Sequence, residues 1–387
     1  MTTLTTNELE KRELENLALF AVKCAQSKGR RIKEEKHPYC TDFQIDIQRI
    51  IQTQAFRRLE YKTQVFVNHE GDHYRTRLTH SIEVSQASRI IARALKLNED
   101  LIEGLVLAHD IGHTPFGHAG EKILNELMEA EKGFSHNEQS LRVVDKLEYA
   151  LPDVEGLNLC YELREGIIKH TTSYDYSEVP VDLNPEDKPF LEAQIINLTD
   201  VIAFNAHDLD DGLQSGLLKY EMLNDLELWK EAVKLVLDKF QIRNRKMMIK
   251  KTIEQILELQ LNDLIEQTSI NINQNNINTI NDIRNAENFL AKFSEKMHEY
   301  NYQLMDFLMG NLYRHYRVVR MEEKARMIIN RLFNSYLNNP KMMPHKIQKK
   351  VDKENSLKRI VCDYVAGMTD RYAIDEYNKL FDPLVKV

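Results

Sequence analysis

Glycine and proline are scarce in this chain, with 13 and 9 copies spread over 387 residues. Both residues disfavour helix interiors and mark tight turns, so their scarcity favours long helices over a turn-rich β architecture. The segments RTRLTHSIEVSQASRIIARALKL (75–97) and EDLIEGLVLAHD (99–110) carry apolar residues at helical spacing. The sequence therefore predicts a mainly α-helical fold, with minor short β segments such as the β-branched end of 43–67.

The chain is longer than one hydrophobic core usually supports. We expect an N-terminal helix and basic segment (1–42), a helical core (43–215), and a mainly helical C-terminal region (216–387) that supplies pocket walls or subunit contacts. The polar stretch 173–189 predicts an exposed loop, and the Asn- and Ile-rich stretch 262–289 predicts a polar connector with a short helix or strand.

Charge and cysteine usage exclude several classes of protein. A net charge of −8 argues against general nucleic-acid binding, although this charge still allows a local basic cleft that binds phosphates. The four cysteines are widely separated, without a CxxC pair, so zinc ribbons and disulfide frameworks are not expected. The charged N-terminus does not resemble a signal peptide, and no apolar run is long enough to cross a membrane. We expect a cytoplasmic protein.

Histidines and acids converge around the stretch HDIGHTPFGHAGE (109–121). His80 shares the apolar stripe of its helix, so it points inward, and His109 extends the buried stripe of the next helix. Asp110 then ends that helix at the negative pole of its dipole, where a carboxylate needs a compensating cation. Satisfied core histidines are the simpler alternative for each residue alone, but a divalent metal answers all of these demands together.

A third helix adds a further acid to this group. Asp200, Phe204 and Asp208 recur at a spacing of four residues, and a core-facing stripe that carries two acids indicates the wall of a polar pocket. His80, His109, Asp110 and Asp200 would then form a hexacoordinate site that leaves positions open for water and substrate oxygens.

The order H…HD…D resembles the HD phosphohydrolase superfamily, whose core is helical. The flanking text narrows the resemblance: FRRLEYKTQVF, RTRLTHS, HDIGHTPFGHAGE, FSHNEQS, NLTDVIAFNAHDLDDGL, NLYRHYRV and TDRYAIDEYNKLF are similar to the deoxynucleoside triphosphate triphosphohydrolases, the dGTPase-like family. The resemblance covers nearly the whole chain. It implies an HD-domain core with a C-terminal helical extension, and hydrolysis of a dNTP to the deoxynucleoside and tripolyphosphate by attack of water at the α-phosphorus.

The resemblance also implies roles for individual residues. His80, His109, Asp110 and Asp200 match the metal ligands, His118 matches the catalytic histidine, Glu121 orients it, and His136 shares the acid–base work. The substrate-binding positions are Gln64, Arg77, His113, Phe204, Asp208 and Tyr313. Gln64 and Asp208 match residues that hold the sugar 3′-hydroxyl, whereas Phe204 stands where the family generally has a tyrosine that stacks on the sugar. A structural hydrogen bond is the alternative for His113, and a surface position is the alternative for Arg77.

Several features remain open at this level. Magnesium or manganese is the expected ion, while Fe²⁺, Co²⁺ and Ni²⁺ also suit mixed His/Asp ligation. The family implies a homo-oligomer, tetrameric or hexameric, and a dNTP activator besides the dNTP substrate. Two other functions stay open: a phosphohydrolase that acts on nucleoside monophosphates or other phosphoesters, and a catalytically silent oligomeric nucleotide sensor.

Overall fold

The part of the protein that the structure describes is mainly helical. This computed structural model describes residues 3–64, 75–171, 177–351 and 356–386. No sheet forms among these residues, which contain only isolated β-bridges such as the one between Thr63 and Thr76. The prediction of a mainly helical fold is confirmed. The proposed strand at 65–67 lies outside the described residues.

The α-helices of the described residues are α1 (Thr6–Asn16), α2 (Asp42–Gln52), α3 (Gln54–Arg58), α4 (Arg77–Leu95), α5 (Glu99–His109), α6 (Gly117–Leu127), α7 (His136–Arg142), α8 (Tyr161–Ile168), α9 (Leu191–Gln214), α10 (Glu227–Lys239), α11 (Arg245–Gln274), α12 (Ile280–Asn285), α13 (Glu295–Leu308), α14 (Tyr316–Asn338), α15 (His345–Val351), α16 (Leu357–Ala366) and α17 (Asp370–Phe381). Two π-helical turns, Val143–Leu147 and Met309–Tyr313, follow α7 and α13. None of these helices is long and apolar enough to cross a lipid bilayer.

Helices α4, α5 and α9 pack against one another and carry the centre of the molecule. The predicted inward stripe of α4 is confirmed, because Val84 and Ile91 are buried on the same face as His80. Helix α5 begins directly after Asn98, whose residue type just before an apolar helical segment predicts an N-cap, and the Asn98 side chain accepts a hydrogen bond from the Leu101 N–H at 3.0 Å. Apolar residues of all three helices join two of the main core clusters, and this packing fixes the relative positions of the polar residues on their inner faces.

The C-terminal helices form a separate apolar cluster that reaches the central helices through α6. Phe333 and Tyr336 of α14 are buried in one cluster with Ile123 and Leu124 of α6, together with residues of α16 and α17. A fourth cluster surrounds Trp229 between α10, α11 and α13. Helix α6 therefore begins in the histidine-rich stretch and packs against the helices of the C-terminal region.

The predicted polar connector at 262–289 is wrong over its first half. Residues up to Gln274 continue helix α11, and Leu264, Thr268 and Ile272 are buried at four-residue spacing along it. Asparagine and glutamine residues are frequent on the other faces of this helix, so the composition of the stretch did not indicate its apolar stripe. Within the predicted loop at 173–189, residues 173–176 lie outside the described part. The remainder is an irregular segment with a short 3₁₀ turn at Val181–Leu183.

Candidate active site and metal centre

Three helices bring the four predicted metal ligands together. His80 comes from the first turn of α4, His109 is the last residue of α5, Asp110 follows it, and Asp200 lies in the middle of α9. Nε2 of His80 lies 2.8 Å from Oδ1 of Asp200. Nε2 of His109 lies 3.4 Å from Oδ1 of Asp110 and 3.7 Å from Oδ1 of Asp200. Ligand atoms from all three helices therefore face one small volume.

The donor set fits a divalent ion. In an octahedral site with metal–ligand distances of about 2.1 Å, neighbouring ligand atoms lie about 3 Å apart and opposite ones about 4.2 Å apart. The distances between these ligand atoms fall in or near that range, and His80, His109 and Asp110 offer atoms within 4.8 Å of one another. Nδ1 of His109 donates to the Val106 carbonyl at 2.5 Å, which leaves the lone pair on Nε2. That Nε2 is buried without a hydrogen-bond partner among the described residues, as expected of an atom aimed at an ion.

The pKa values of the predicted ligands are shifted because their charges lie close together. Although burial opposes it, the carboxylates of Asp110 and Asp200 raise the pKa of His109 to about 9. The pKa values of both carboxyls lie well below the usual range because the nearby histidines outweigh the burial that would raise them. Asp110 also accepts a hydrogen bond at 3.1 Å from Nη1 of Arg77, which is 2% exposed. The carboxylates are therefore ionised at neutral pH, and ligation by His109 requires loss of its proton.

A tight turn connects Asp110 to α6. An ideal Cβ on Gly112 would lie 2.2 Å from the Ser140 backbone nitrogen and 2.3 Å from the His136 carbonyl oxygen, so only glycine allows the turn to approach α7 this closely. Gly117 has a φ of +57°, in the left-handed region that favours glycine. The Asp370 carboxylate, from the start of α17, accepts the Phe116 N–H at 2.8 Å. The turn is thus fixed both by α7 and by the C-terminal region.

A second cluster lies immediately beyond the turn and contains the predicted catalytic residues. Oε1 of Glu121 lies 2.9 Å from Nδ1 of His136 and accepts its backbone N–H at 2.8 Å. Oε2 of Glu121 lies 3.6 Å from Nδ1 of His118. The His118 side chain is 60% exposed, whereas His113 and His136 are buried. His118 is consequently the member of this cluster that an incoming ligand can reach.

His113 links the two clusters. Its Nδ1 lies 2.9 Å from Oδ1 of Asp110, and its ring stacks on that of His136 with centroids 3.9 Å apart. Burial, together with the nearby charges of Arg77 and His136, holds the pKa of His113 well below the usual histidine value. His113 is therefore neutral at neutral pH. Burial opposes ionisation of Glu121, but His136, His118 and His113 nonetheless lower its pKa well below the usual range.

Three of the predicted substrate-binding residues contact one another beside Asp200. Phe204 lies one helical turn after Asp200 on α9, and its ring stacks at 6.2 Å on that of Tyr313 from the π-helical turn after α13. The Tyr313 hydroxyl donates to the Asp208 carboxylate. Burial and the neighbouring Asp211 raise the pKa of Asp208 well above its ordinary value. Gln64 is buried, and its Oε1 has no hydrogen-bond partner among the described residues.

Sequence reasoning missed three residues that contact this site. His170, just after α8, has Nε2 3.9 Å from Oδ2 of Asp200 and its ring 5.1 Å from that of His109. Lys62 is fully buried, and its ammonium donates to the carbonyls of His113 and Ala366, the latter at 3.1 Å. His207 contacts His80 from α9. A histidine that extends the apolar face of α8 was a usable signal for His170, whereas nothing local indicated the burial of Lys62.

Comparisons with known proteins agree with this arrangement. The HD-domain family matches residues 77–205, the segment that holds all four metal-ligand positions, and the phosphohydrolase-associated domain matches residues 291–379. The deoxyguanosinetriphosphate triphosphohydrolase-like protein of Geobacter sulfurreducens is 48% identical over 376 residues, which cover 97% of each chain. The similarly named proteins of Ralstonia pickettii and Thiobacillus denitrificans are 48% and 45% identical, over 94% and 95% of this chain and 94% and 97% of theirs.

Proposed function

Because this chain belongs to the deoxyguanosinetriphosphate triphosphohydrolase-like proteins, and is therefore a phosphohydrolase, we propose that it hydrolyses deoxynucleoside triphosphates. The products are the deoxynucleoside and tripolyphosphate, released when water attacks the α-phosphorus. The observation that carries this proposal is the contact between the two clusters: a buried set of metal-ligand atoms lies next to an exposed histidine backed by a carboxylate, and His113 joins them.

His80, His109, Asp110 and Asp200 would hold the divalent ion. When bound, the ion supplies Lewis-acid activation of water and neutralises charge on the α-phosphate. Burial opposes ionisation of Asp110, but His109, His113 and the Arg77 guanidinium keep its carboxylate ionised. Nε and Nη2 of Arg77 have no hydrogen-bond partner among the described residues, which supports the prediction that Arg77 donates to a phosphate oxygen.

His118 is the proton donor for the departing 5′ oxygen in this proposal. Its Nδ1–H faces the Glu121 carboxylate, which stabilises the imidazolium form, and the Nε2 proton of that imidazolium is the one passed to the leaving group. Glu121 is anchored by the backbone and the ring of His136, and it therefore orients His118 from a fixed position. His136 is buried behind this pair, where it supports Glu121 and shares the acid–base work.

The sugar lies against Phe204, which offers a flat apolar face one turn from Asp200. Asp208 and Gln64 provide polar atoms for the 3′-hydroxyl, and Tyr313 holds the Asp208 carboxyl in place. Phe204 lacks the hydroxyl of the family's usual tyrosine, so stacking on the sugar is retained while any hydrogen bond from that position is lost.

The four dNTPs, each tested with Mg²⁺ and Mn²⁺ and with or without a second dNTP, give the deciding experiment. We expect tripolyphosphate and a deoxynucleoside as the products, separated by ion chromatography and ³¹P spectroscopy. Release of orthophosphate or pyrophosphate instead would show that another phosphorus is attacked, and the proposal would fail. Stimulation by the second dNTP would support the predicted activator, and the same preparations report whether the chain forms the predicted homo-oligomer.

His118→Ala tests the assignment of the proton donor. The loss of a general acid typically lowers kcat by about 10²- to 10⁴-fold, while Mn²⁺ binding should stay unchanged because His118 is not among the ligands. His298 on α13 is also exposed and is not among the proposed site residues, so His298→Ala is the matched control. Full activity in His118→Ala would remove His118 from the mechanism.

A further inference from the structure

His207 and Glu83 form a chain of contacts that begins at Nδ1 of His80, the ring nitrogen on the side away from the predicted metal site. Nδ1 of His80 lies 3.1 Å from Nδ1 of His207, on α9. Nε2 of His207 in turn lies 2.6 Å from Oε2 of Glu83, which is one turn after His80 on α4. His80 and His207 are buried, whereas the Glu83 side chain is 45% exposed. The three residues thus connect the edge of the metal centre to the surface.

The acceptor-only character of a carboxylate decides where the protons lie in this chain. Glu83 can only accept, so Nε2 of His207 carries the proton of that bond and Nδ1 of His207 carries a lone pair. That lone pair accepts the N–H of Nδ1 of His80. The single proton of a neutral His80 is then on Nδ1, so Nε2, which lies 2.8 Å from Oδ1 of Asp200, would offer its lone pair to an ion held between the two side chains.

The reverse order of protons would be unsuitable for a metal. If Nδ1 of His207 carried the proton, Nδ1 of His80 would have to accept a hydrogen bond from it. The proton of a neutral His80 would then lie on Nε2. There it would occupy the position through which His80 binds an ion. His109 solves the same problem with a backbone carbonyl, that of Val106, whereas His80 depends on side chains that can be replaced.

We propose that Glu83 and His207 are positioning residues that fix the tautomer and ring orientation of His80 for metal binding. Arg75 supports Glu83, since its Nε lies 3.3 Å from Oε1 of that carboxylate. The inference rests on the metal site of the proposed function but names residues outside the ligand set. Loss of a group that orients a ligand in this way lowers metal affinity by about 10- to 100-fold.

Mn²⁺ titration of metal-free protein by calorimetry, without nucleotide, measures the effect directly. We expect Glu83→Ala to weaken Mn²⁺ binding by about 10- to 100-fold. Glu103→Ala is the matched control, because Glu103 is a carboxylate of α5 that pairs with Arg89 at 3.0 Å and is not bonded to His80 or His207. Its Mn²⁺ affinity should equal that of the wild type. Since the Glu83 side chain is half exposed, Glu83→Ala should fold normally, and thermal unfolding checks this.

His207→Asn distinguishes control of the tautomer from a merely structural role. The asparagine Oδ1 can accept from Nδ1 of His80 without help from Glu83, so adding Glu83→Ala to His207→Asn should change the Mn²⁺ affinity less than 3-fold, by about the error of a double-mutant cycle. The inference is wrong if Glu83→Ala binds Mn²⁺ like the wild type, or if Glu83→Ala costs as much in the asparagine background. If the wild type itself binds no Mn²⁺, the metal site of the proposed function fails instead.

Discussion

Replacing Gly112 with alanine should disturb the active site without touching a functional side chain. Gly112 lies in the turn between Asp110 and His113, and its N–H donates to Oγ of Ser140 on α7 at 2.9 Å. The new methyl group would lie 2.2 Å from the Ser140 backbone nitrogen and 2.3 Å from the His136 carbonyl oxygen. Both atoms belong to the backbone of α7, so no side chain can rotate away to make room.

The required displacement follows from these distances. Carbon contacts with backbone atoms are favourable at about 3.5 Å, so the turn and α7 must separate by about 1 Å. Strain of this kind in a packed interior costs about 1–3 kcal/mol of unfolding free energy. A displacement of about 1 Å at reacting groups lowers the rate by about 100-fold. His136, at the start of α7, and His113, in the turn, would move apart by this amount.

Turnover of the preferred dNTP and denaturant unfolding measure the two effects on one preparation. We expect kcat to fall by about 100-fold and stability to fall by about 1–3 kcal/mol. Gly310→Ala is the matched control, because an added Cβ there meets no atom within 4 Å. That variant should keep wild-type turnover and unfolding free energy.

The reasoning would be refuted if Gly112→Ala kept wild-type turnover and stability. Such a result would mean that the turn and α7 can separate freely, and that the spacing between His113 and His136 does not matter for the reaction. A fall in stability with unchanged turnover would also contradict it, because the strain would then be absorbed outside the site.

Three further outcomes are expected. Burial raises the pKa of Glu192 from 4.5 to about 7. The stability that Glu192 contributes is therefore present below pH 4.5 and is lost as the pH rises through 7. In denaturant unfolding from pH 5 to 8, the unfolding free energy of Glu192→Gln should rise by about 3 kcal/mol relative to that of the wild type. Arg284 donates two hydrogen bonds to the buried Glu165 carboxylate, at 2.6 and 2.8 Å. Arg284→Ala should therefore lower the unfolding free energy by about 3 kcal/mol. Arg245→Ala, which breaks an exposed pair with Glu221, should leave the unfolding free energy nearly unchanged. Chelation of divalent ions should abolish turnover and lower the thermal midpoint, and Mn²⁺ at 100 times its dissociation constant should restore about 2.7 kcal/mol of stability; a midpoint that ignores both treatments would contradict the metal site.

Local patterns were sufficient to predict the helices around the proposed metal site. The stripe of α4 and the Asn98 cap of α5 depend on contacts within one or two turns, and both are confirmed. The adjacency of His109 and Asp110 at a helix end is a local feature as well, so their shared position at the cluster followed from the sequence. Helix α11 was mispredicted because its stripe of Leu264, Thr268 and Ile272 is thin and its other faces are rich in asparagine.

Contacts between distant segments could not be predicted in the same way. His170 reaches Asp200 only because α8 and α9 both pack on α5, and Lys62 is buried only because α16 covers it. The pairing of His80 with His207 depends on how α4 and α9 are rotated about their axes. Hydrophobic periodicity predicts these rotations too coarsely to place two ring nitrogens 3.1 Å apart. The roles of His118 and Glu121 stay predictions, although the structure places them together.

The bonds that Asp370 and Lys62 make across the turn have a consequence for dissecting the protein. Asp370 accepts the backbone N–H groups of Thr63 and Phe116, and Lys62 joins the carbonyls of His113 and Ala366. A fragment that ended before α16 would keep every proposed ligand and catalytic residue, yet it would lose these supports of the turn. Separate expression of the two halves, or exchange of C-terminal segments between relatives, should therefore yield inactive proteins unless these joining bonds are rebuilt.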